Sequence, residues 1–257
     1  MLNRRHLRIK VLQALYAFKQ SDNEHYSAGE KELLHSIDKM YDLYILYLLL
    51  FEEIRTFADR KIEERKRKII PSEEDINPNL NFVNNRFLAK LTSNRMLLEK
   101  SEDLRLNWVG DVNQDLVKKL YQQIEKSSLY EQYMSLPSTD FEVDKNFIVK
   151  LFKQEIANSK VLLNHFEEMR IHWQDDFDHV FSMLIKTLKS FKEDADERTP
   201  IMDLYKDDEE DFVKKLFRRA IANFSSHVTV LDKYTKNWES DRPVSYTHLR
   251  AHETEAY

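Results

Sequence analysis

Apolar residues recur at three- and four-residue intervals along most of this chain, the period of a helix that buries one side. Leu7, Val11, Ala14, Leu15 and Phe18 form the first such stripe and predict a helix over Asn3 to Gln20, with Asn3 placed to cap it. Ser21 to Gly29 is polar and ends it. From Glu30 to about Lys68, Leu34, Ile37, Met40, Tyr41, Tyr44, Leu48, Phe51 and Ile54 keep helical spacing, as one long helix or two consecutive ones. Leu43 to Phe51 is apolar on every side, so this segment is expected to be the most enclosed helix of the molecule.

Pro71, Pro78 and the turn formers Asp75, Asn77 and Asn79 predict a linker over Ile69 to Phe82. Beyond it, helices are expected at Asn84–Lys100 and Asp111–Ser127, with Gly110 as a stop and Asp111 as a cap. Leu136-Pro137-Ser138-Thr139 is another break, and a helix should start near Thr139 or Asp140. Three stripes follow: Val143, Phe147, Ile148, Leu151, Phe152 and Ile156; then Leu162, Phe166, Met169 and Trp173; then Phe177, Val180, Phe181, Leu184, Ile185, Leu188 and Phe191. They read as core. Lys192 to Asp211 is acidic and broken by Pro200, and its acids from Asp207 onward suit the first turn of a helix. That helix carries Val213, Leu216, Phe217, Ala220, Ile221 and Phe224 as its stripe, with Lys214, Lys215, Arg218 and Arg219 on the opposite side.

Composition sharpens this picture. With 2 Gly and 5 Pro in 257 residues, few positions break a helix, and the predicted class is all-α, a helical bundle. The 42% hydrophobic content, with 15 Phe and 12 Tyr, supports a packed core. The absence of Cys removes disulfides, thiolate catalysis and cysteine metal sites, and fits a reducing, cytoplasmic setting. The longest apolar run has nine residues against the roughly 20 needed to span a bilayer, so no membrane partner is expected.

Charge singles out the first helix. The chain is acidic overall, at net −5, yet Asn3 to Gln20 holds Arg4, Arg5, Arg8, Lys10 and Lys19 and no acid. Arg4 and Arg8 are one turn apart and Arg5 is three residues from Arg8, so the guanidinium groups cluster at the helix start. Cations there oppose the macrodipole, and a polyanion would use them. Arg binds phosphate bidentately and stacks on unpaired bases.

The run Arg4-Arg5-His6-Leu7-Arg8, then Gln13-Ala14-Leu15-Tyr16, resembles the opening helix of the NusB transcription antitermination family. The resemblance implies an all-helical factor. Its arginine-rich segment would bind boxA-like single-stranded RNA together with NusE, a small-subunit ribosomal protein, in an RNA polymerase antitermination complex acting on ribosomal RNA transcription. It implies RNA contacts from Arg4, Arg5 and Arg8, with His6 where the family often has another Arg. Tyr16 matches a family tyrosine beside the RNA. On this reading residues 1–68 are the N-terminal NusB-like helices, 69–199 a helical insertion and 200–242 a further helix of the first subdomain. The run from Leu231 to Trp238 is consistent with that helix.

After Arg242 the composition changes, and PVSYTHLRAHETEAY resembles translated sequencing adapter. Residues 243–257 are therefore expected to be a non-native tail. The family's closing helices would follow Arg242, and without them apolar surface would stay wet and favour aggregation. Two other classes compete: a helical adaptor that binds only protein, and the RNA-binding appendage of an rRNA methyltransferase, which would need a glycine-rich cofactor domain.

Other chemistry is thin. His165, His172 and His179, with Asp175, Asp176 and Asp178, form a loose metal signature, but seven residues of helix rise is about 10.5 Å and too far for one ion. With glycines only at positions 29 and 110, no glycine-rich phosphate loop is possible. Neither an enzyme, a cofactor nor a metal is expected. Arg60 to Lys68 is basic and reads as a solvated helix end.

Overall fold

A computed structural model of the chain describes residues 4–21, 25–170, 173, 175–205 and 208–234. All regular structure among these residues is helical, as expected. The chain forms two compact units. Among the described residues, one comprises those of 35–204, and the other combines those of 4–34 with those of 205–234. Residues 35–68, expected to belong with the N-terminal part, thus group with 69–199. The long helix α2 (Tyr26–Lys66) is a single helix that begins before Glu30 and belongs to both units. The expected cap Asn3, His172 of the histidine series, Trp238 and the tail 243–257 lie outside the described residues.

In the larger unit the central stretch of α2 is the axis. Met40 to Leu48 is buried without interruption, and Leu50, Phe51 and Ile54 continue the burial. Two indoles bind its backbone from outside: Trp108 Nε1 donates to Leu46 O at 3.0 Å and Trp173 Nε1 to Lys39 O at 2.6 Å. Tyr44 is fully buried; its hydroxyl shares a 2.8 Å hydrogen bond with Thr187 and accepts from Met202 N at 3.2 Å.

Short helices surround this axis, and side-chain caps explain where most of them start. Ser72 and Asp75 form a capping box at α3 (Glu73–Ile76). Asn85 caps α4 (Arg86–Thr92), and Asn94 caps α5 (Arg95–Asp103). The single helix expected over Asn84–Lys100 is therefore two. Asn94 is buried, accepts from Leu97 N at 3.0 Å and donates to Thr199 O at 2.8 Å, and this local bonding breaks the ladder. Gly110 is not a stop. It has φ 113°, occupies the cap position of α6 (Asp111–Glu125), and Asp111 is the first helical residue. Ser127 caps α7 (Ser128–Met134), a helix the periodicity does not announce. Asp140 caps α8 (Phe141–Leu151) by accepting from Val143 N at 2.8 Å, as expected. The stripe runs on past α8 into one wide π-helical turn, Phe152–Ile156.

Two positions expected in the core face water: Val143 and Met169 are exposed. Trp173 is buried as expected, but it lies beyond the end of α9 (Lys160–Met169) rather than on that helix. The stripe of α10 (Phe177–Ser190) is buried at Phe177, Val180, Leu184 and Leu188, while Phe181 and Ile185 are half-buried; Phe191 follows the helix and is buried.

A polar knot links α4, α7 and α8. Asp144 is fully buried; its carboxylate accepts from Tyr133 Oη and from Arg86 N, both at 2.7 Å. Asn85 donates to Tyr133 Oη at 3.0 Å and accepts from Leu88 N at 2.8 Å. Every partner satisfies another, which is the condition for polar burial. The charge also sits at the α4 N-terminus, where the dipole favours it.

In the smaller unit, α1 (Arg4–Gln20) packs along α11 (Glu209–Ala222), with the start of α2 against both and α12 (Phe224–Tyr234) following α11. Leu7, Val11 and Phe18 of α1 and Val213, Phe217 and Ile221 of α11 are buried. Asn223 separates α11 from α12, so Phe224 opens the next helix instead of closing the α11 stripe. Gly29 of α2 sits where Phe18 and Phe217 meet. A Cβ there would lie 2.7 Å from Phe18 Cδ2 and 2.8 Å from Phe217 Cζ. Arg218 clasps Glu30 with Nε at 2.5 Å and Nη2 at 2.7 Å, and this hydrogen bonding lowers the Glu30 pKa.

The tight fit at Gly29 has a measurable consequence. Gly29→Ala should destabilise the protein by about 1–2 kcal/mol, because overpacking two buried rings outweighs the gain in helix propensity; thermal unfolding checks it, and an unchanged midpoint would contradict it. A second expectation concerns pH. Lys68 and the Ser72 amide hold the Asp75 carboxyl at about 2, below its ordinary 3.8. A depressed carboxyl stabilises above its unfolded pKa and ceases to as pH falls through its folded one. The 68–76 segment should therefore stay protected above pH 3.8 and loosen as pH drops through about 2, read by the Asp75 carboxyl resonance.

Candidate nucleic-acid interface

The apolar stripe of α1 dictates where its cations point. With Leu7, Val11 and Phe18 turned inward, Arg4, Arg8, Arg5 and Tyr16 fall in that order around the surface beside the stripe, within an arc of about 120°. All four are exposed. His6 lies outside that arc and is half-buried. The structure thus brings Arg4, Arg5, Arg8 and Tyr16 to one face and leaves His6 about 80° beyond it. The first turn of α1 contains no acid.

Arg4 and Arg8 meet residues of α11 and its cap. Arg4 Nη2 lies 3.0 Å from Asp208 Oδ2, with the two side chains 55% and 70% exposed. Arg4 Cζ stands 5.1 Å from the centroid of the Phe212 ring, and Arg8 Cζ stands 6.0 Å from it. An ion pair this open to water contributes about 0–1 kcal/mol. These two guanidinium groups are therefore held loosely at the surface rather than sealed into the fold. At the other end of α1, Lys19 Nζ lies 4.4 Å from the centroid of Phe224.

Sequence pattern alone misses Phe212. It sits about 100° from Val213 around α11, out of phase with the stripe, and is half-buried. An aromatic residue beside, but not in, an apolar stripe is the available signal. Asp208 fits a first-turn acid by its position in the sequence. In the structure it precedes α11 and its side chain bonds no helical amide; its carboxylate accepts from Arg4 instead.

The second cationic group is more engaged. Lys214 pairs with Glu210 at 2.5 Å, which raises its pKa, and Lys215 lies 3.9 Å from Asp211. Arg218 is on Glu30, and Arg219 is exposed. These four residues share the side of α11 away from the buried stripe, over an arc of about 140°. The basic run at the end of α2 is also matched by acids: Lys61 and Arg65 face Glu125, Lys66 faces Glu63, and Lys68 faces Asp75.

His165 is half-buried beside Trp108, with ring centroids 6.5 Å apart, and burial lowers its pKa. His179 is buried in α10. Among the described residues no group of three or more His, Cys, Asp or Glu side chains is placed to hold a metal ion, and no helix is long and apolar enough to cross a membrane. Comparison with protein-family models, with curated proteins and with solved structures found no match.

Because the Arg4–Asp208 pair is exposed, Asp208→Asn should change stability by less than about 1 kcal/mol. Chemical denaturation tests this, and a larger loss would make the pair part of the scaffold.

Proposed function

We propose that this chain is a non-enzymatic RNA-binding factor of the NusB type, with the exposed face of α1 as its RNA contact. The observation that supports it most is the cluster of Arg4, Arg5 and Arg8 on a solvent-facing arc of a helix whose first turn has no acid. Cations placed against the macrodipole cost stability, and a phosphate chain offsets that cost. The resemblance of residues 4–16 to the opening helix of that family supplies the finer reading. In it the ligand is a boxA-like single-stranded RNA, bound with NusE, a small-subunit ribosomal protein. The complex acts with RNA polymerase, in the cytoplasm, to suppress termination in ribosomal RNA transcription.

Each residue has a chemical role in this proposal. Arg5 and Arg8 donate in pairs to phosphate oxygens. Arg4 exchanges the Asp208 carboxylate for a phosphate, a swap that is easy because the pair it leaves is hydrated. Tyr16 offers a ring face to an unstacked base. His6 stays outside the contact.

Three phosphate contacts give a salt slope of roughly −2 in log K against log [salt] for a single strand. Filter binding of a boxA-like RNA should show at least that slope for the parent chain, and strongly weakened binding with a slope shallower by about 2 for the triple variant Arg4→Ala, Arg5→Ala, Arg8→Ala. A triple variant that binds like the parent would overturn the proposal. No RNA retained by the parent at low salt would favour the adaptor class instead.

A further inference from the structure

We infer that the RNA path extends beyond the start of α1 into the groove between α1 and α11, where Phe212 and Phe224 act as stacking platforms between cations. The inference rests on the proposed RNA-binding function and deepens it.

Three contacts define the groove. Arg4 and Arg8 stand over Phe212, Phe18 meets Phe217 edge-on with centroids 6.3 Å apart, and Lys19 stands over Phe224. Early residues of α1 thus meet early residues of α11, and late ones meet the middle of α11 and the start of α12. The two helices lie side by side in the same direction. Arg4, Arg8 and Lys19 share one edge of α1, within about 60° of each other. Phe212 marks the facing edge of α11, and Arg219, two turns on, lies within about 20° of it. The groove therefore presents an aromatic ring at each end, each with a cation at its face, and Arg219 along the opposite bank.

Cations and aromatic rings in alternation are what a single strand recognises: phosphates meet the charges while bases lie on the rings. Both rings are half-buried, so each keeps an accessible surface and is anchored below. Phe217, between them, is sealed in the core. The carboxylate of Asp208 on Arg4 stands where the first phosphate would sit. An acidic protein segment without aromatic side chains would satisfy the cations but leave the two spaced rings unstacked, so the occupant assigned here is single-stranded RNA.

The test uses the full chain and a fluorescein-labelled, mixed-sequence single-stranded RNA of about 12 nucleotides at low salt, read by anisotropy. Phe212→Leu and Phe224→Leu should each weaken binding roughly tenfold without changing the salt slope, since no charge is lost. Phe212→Trp should restore affinity to within about threefold of the parent, and its emission should be quenched by the RNA. Arg219→Gln should reduce the salt slope by about 0.7. If both Leu variants bind like the parent while the triple Arg variant fails, the groove is wrong and the α1 contact stands. If the triple Arg variant binds like the parent, both fall. Should the Leu variants unfold, the Trp variant decides: no quenching at saturating RNA overturns the groove. Polyglutamate competing as well as RNA also overturns it, because charge alone would then suffice.

Discussion

A helix that is apolar on all sides cannot face water anywhere along that length, and this constraint organises the larger unit. From Leu43 to Leu48 every residue of α2 is buried. Its surroundings must supply both apolar surface and partners for the polar tips that come with tyrosine. Tyr44 finds them in Thr187 and Met202, and its burial still pushes its pKa up to about 12. The Tyr47 hydroxyl finds none among the described residues and lies amid Phe152, Phe166 and Phe181, so burial pushes its pKa up further. A hydroxyl buried without a partner costs stability, and the aromatic packing around it must offset that cost. The short capped helices that follow are consistent with this: many brief elements wrap one long cylinder more completely than a few long ones.

The smaller unit works under a different constraint. α1, α11 and the beginning of α2 meet closely because Gly29 leaves room for two phenylalanine rings. Turning Leu7, Val11 and Phe18 inward leaves the arginines of α1 nowhere to go but outward. The charge display is thus a consequence of core packing, and it needs no separate scaffold. The same geometry sets Phe212 beneath Arg4 and Arg8. Ring and cations belong to different helices, and only the packing of those helices joins them.

The candidate site is partly legible in the sequence. The positions of Arg4, Arg5, Arg8 and Tyr16 on one arc follow from helical spacing and the location of the apolar stripe. His6 cannot be placed the same way, because its exposure depends on what packs beside it. Asp208 and Phe212 are invisible there as site residues, since they lie some two hundred positions away and nothing in their neighbourhood refers to α1. Lys214, Lys215, Arg218 and Arg219 look like one basic face. Whether such cations are available depends on carboxylates elsewhere, and Glu30 of α2 is one of them.

The sequence by itself determined the helical class, the enclosed centre of α2 and the outward face of α1. All three depend on periodicity and local composition, which are properties of neighbours in the chain. Tertiary structure decided where Asn94 breaks a helix, that Gly110 begins one, that Val143 and Met169 face water, and which aromatic rings lie under the cations of α1. Those outcomes turn on contacts between distant residues, whose energies no local spacing encodes.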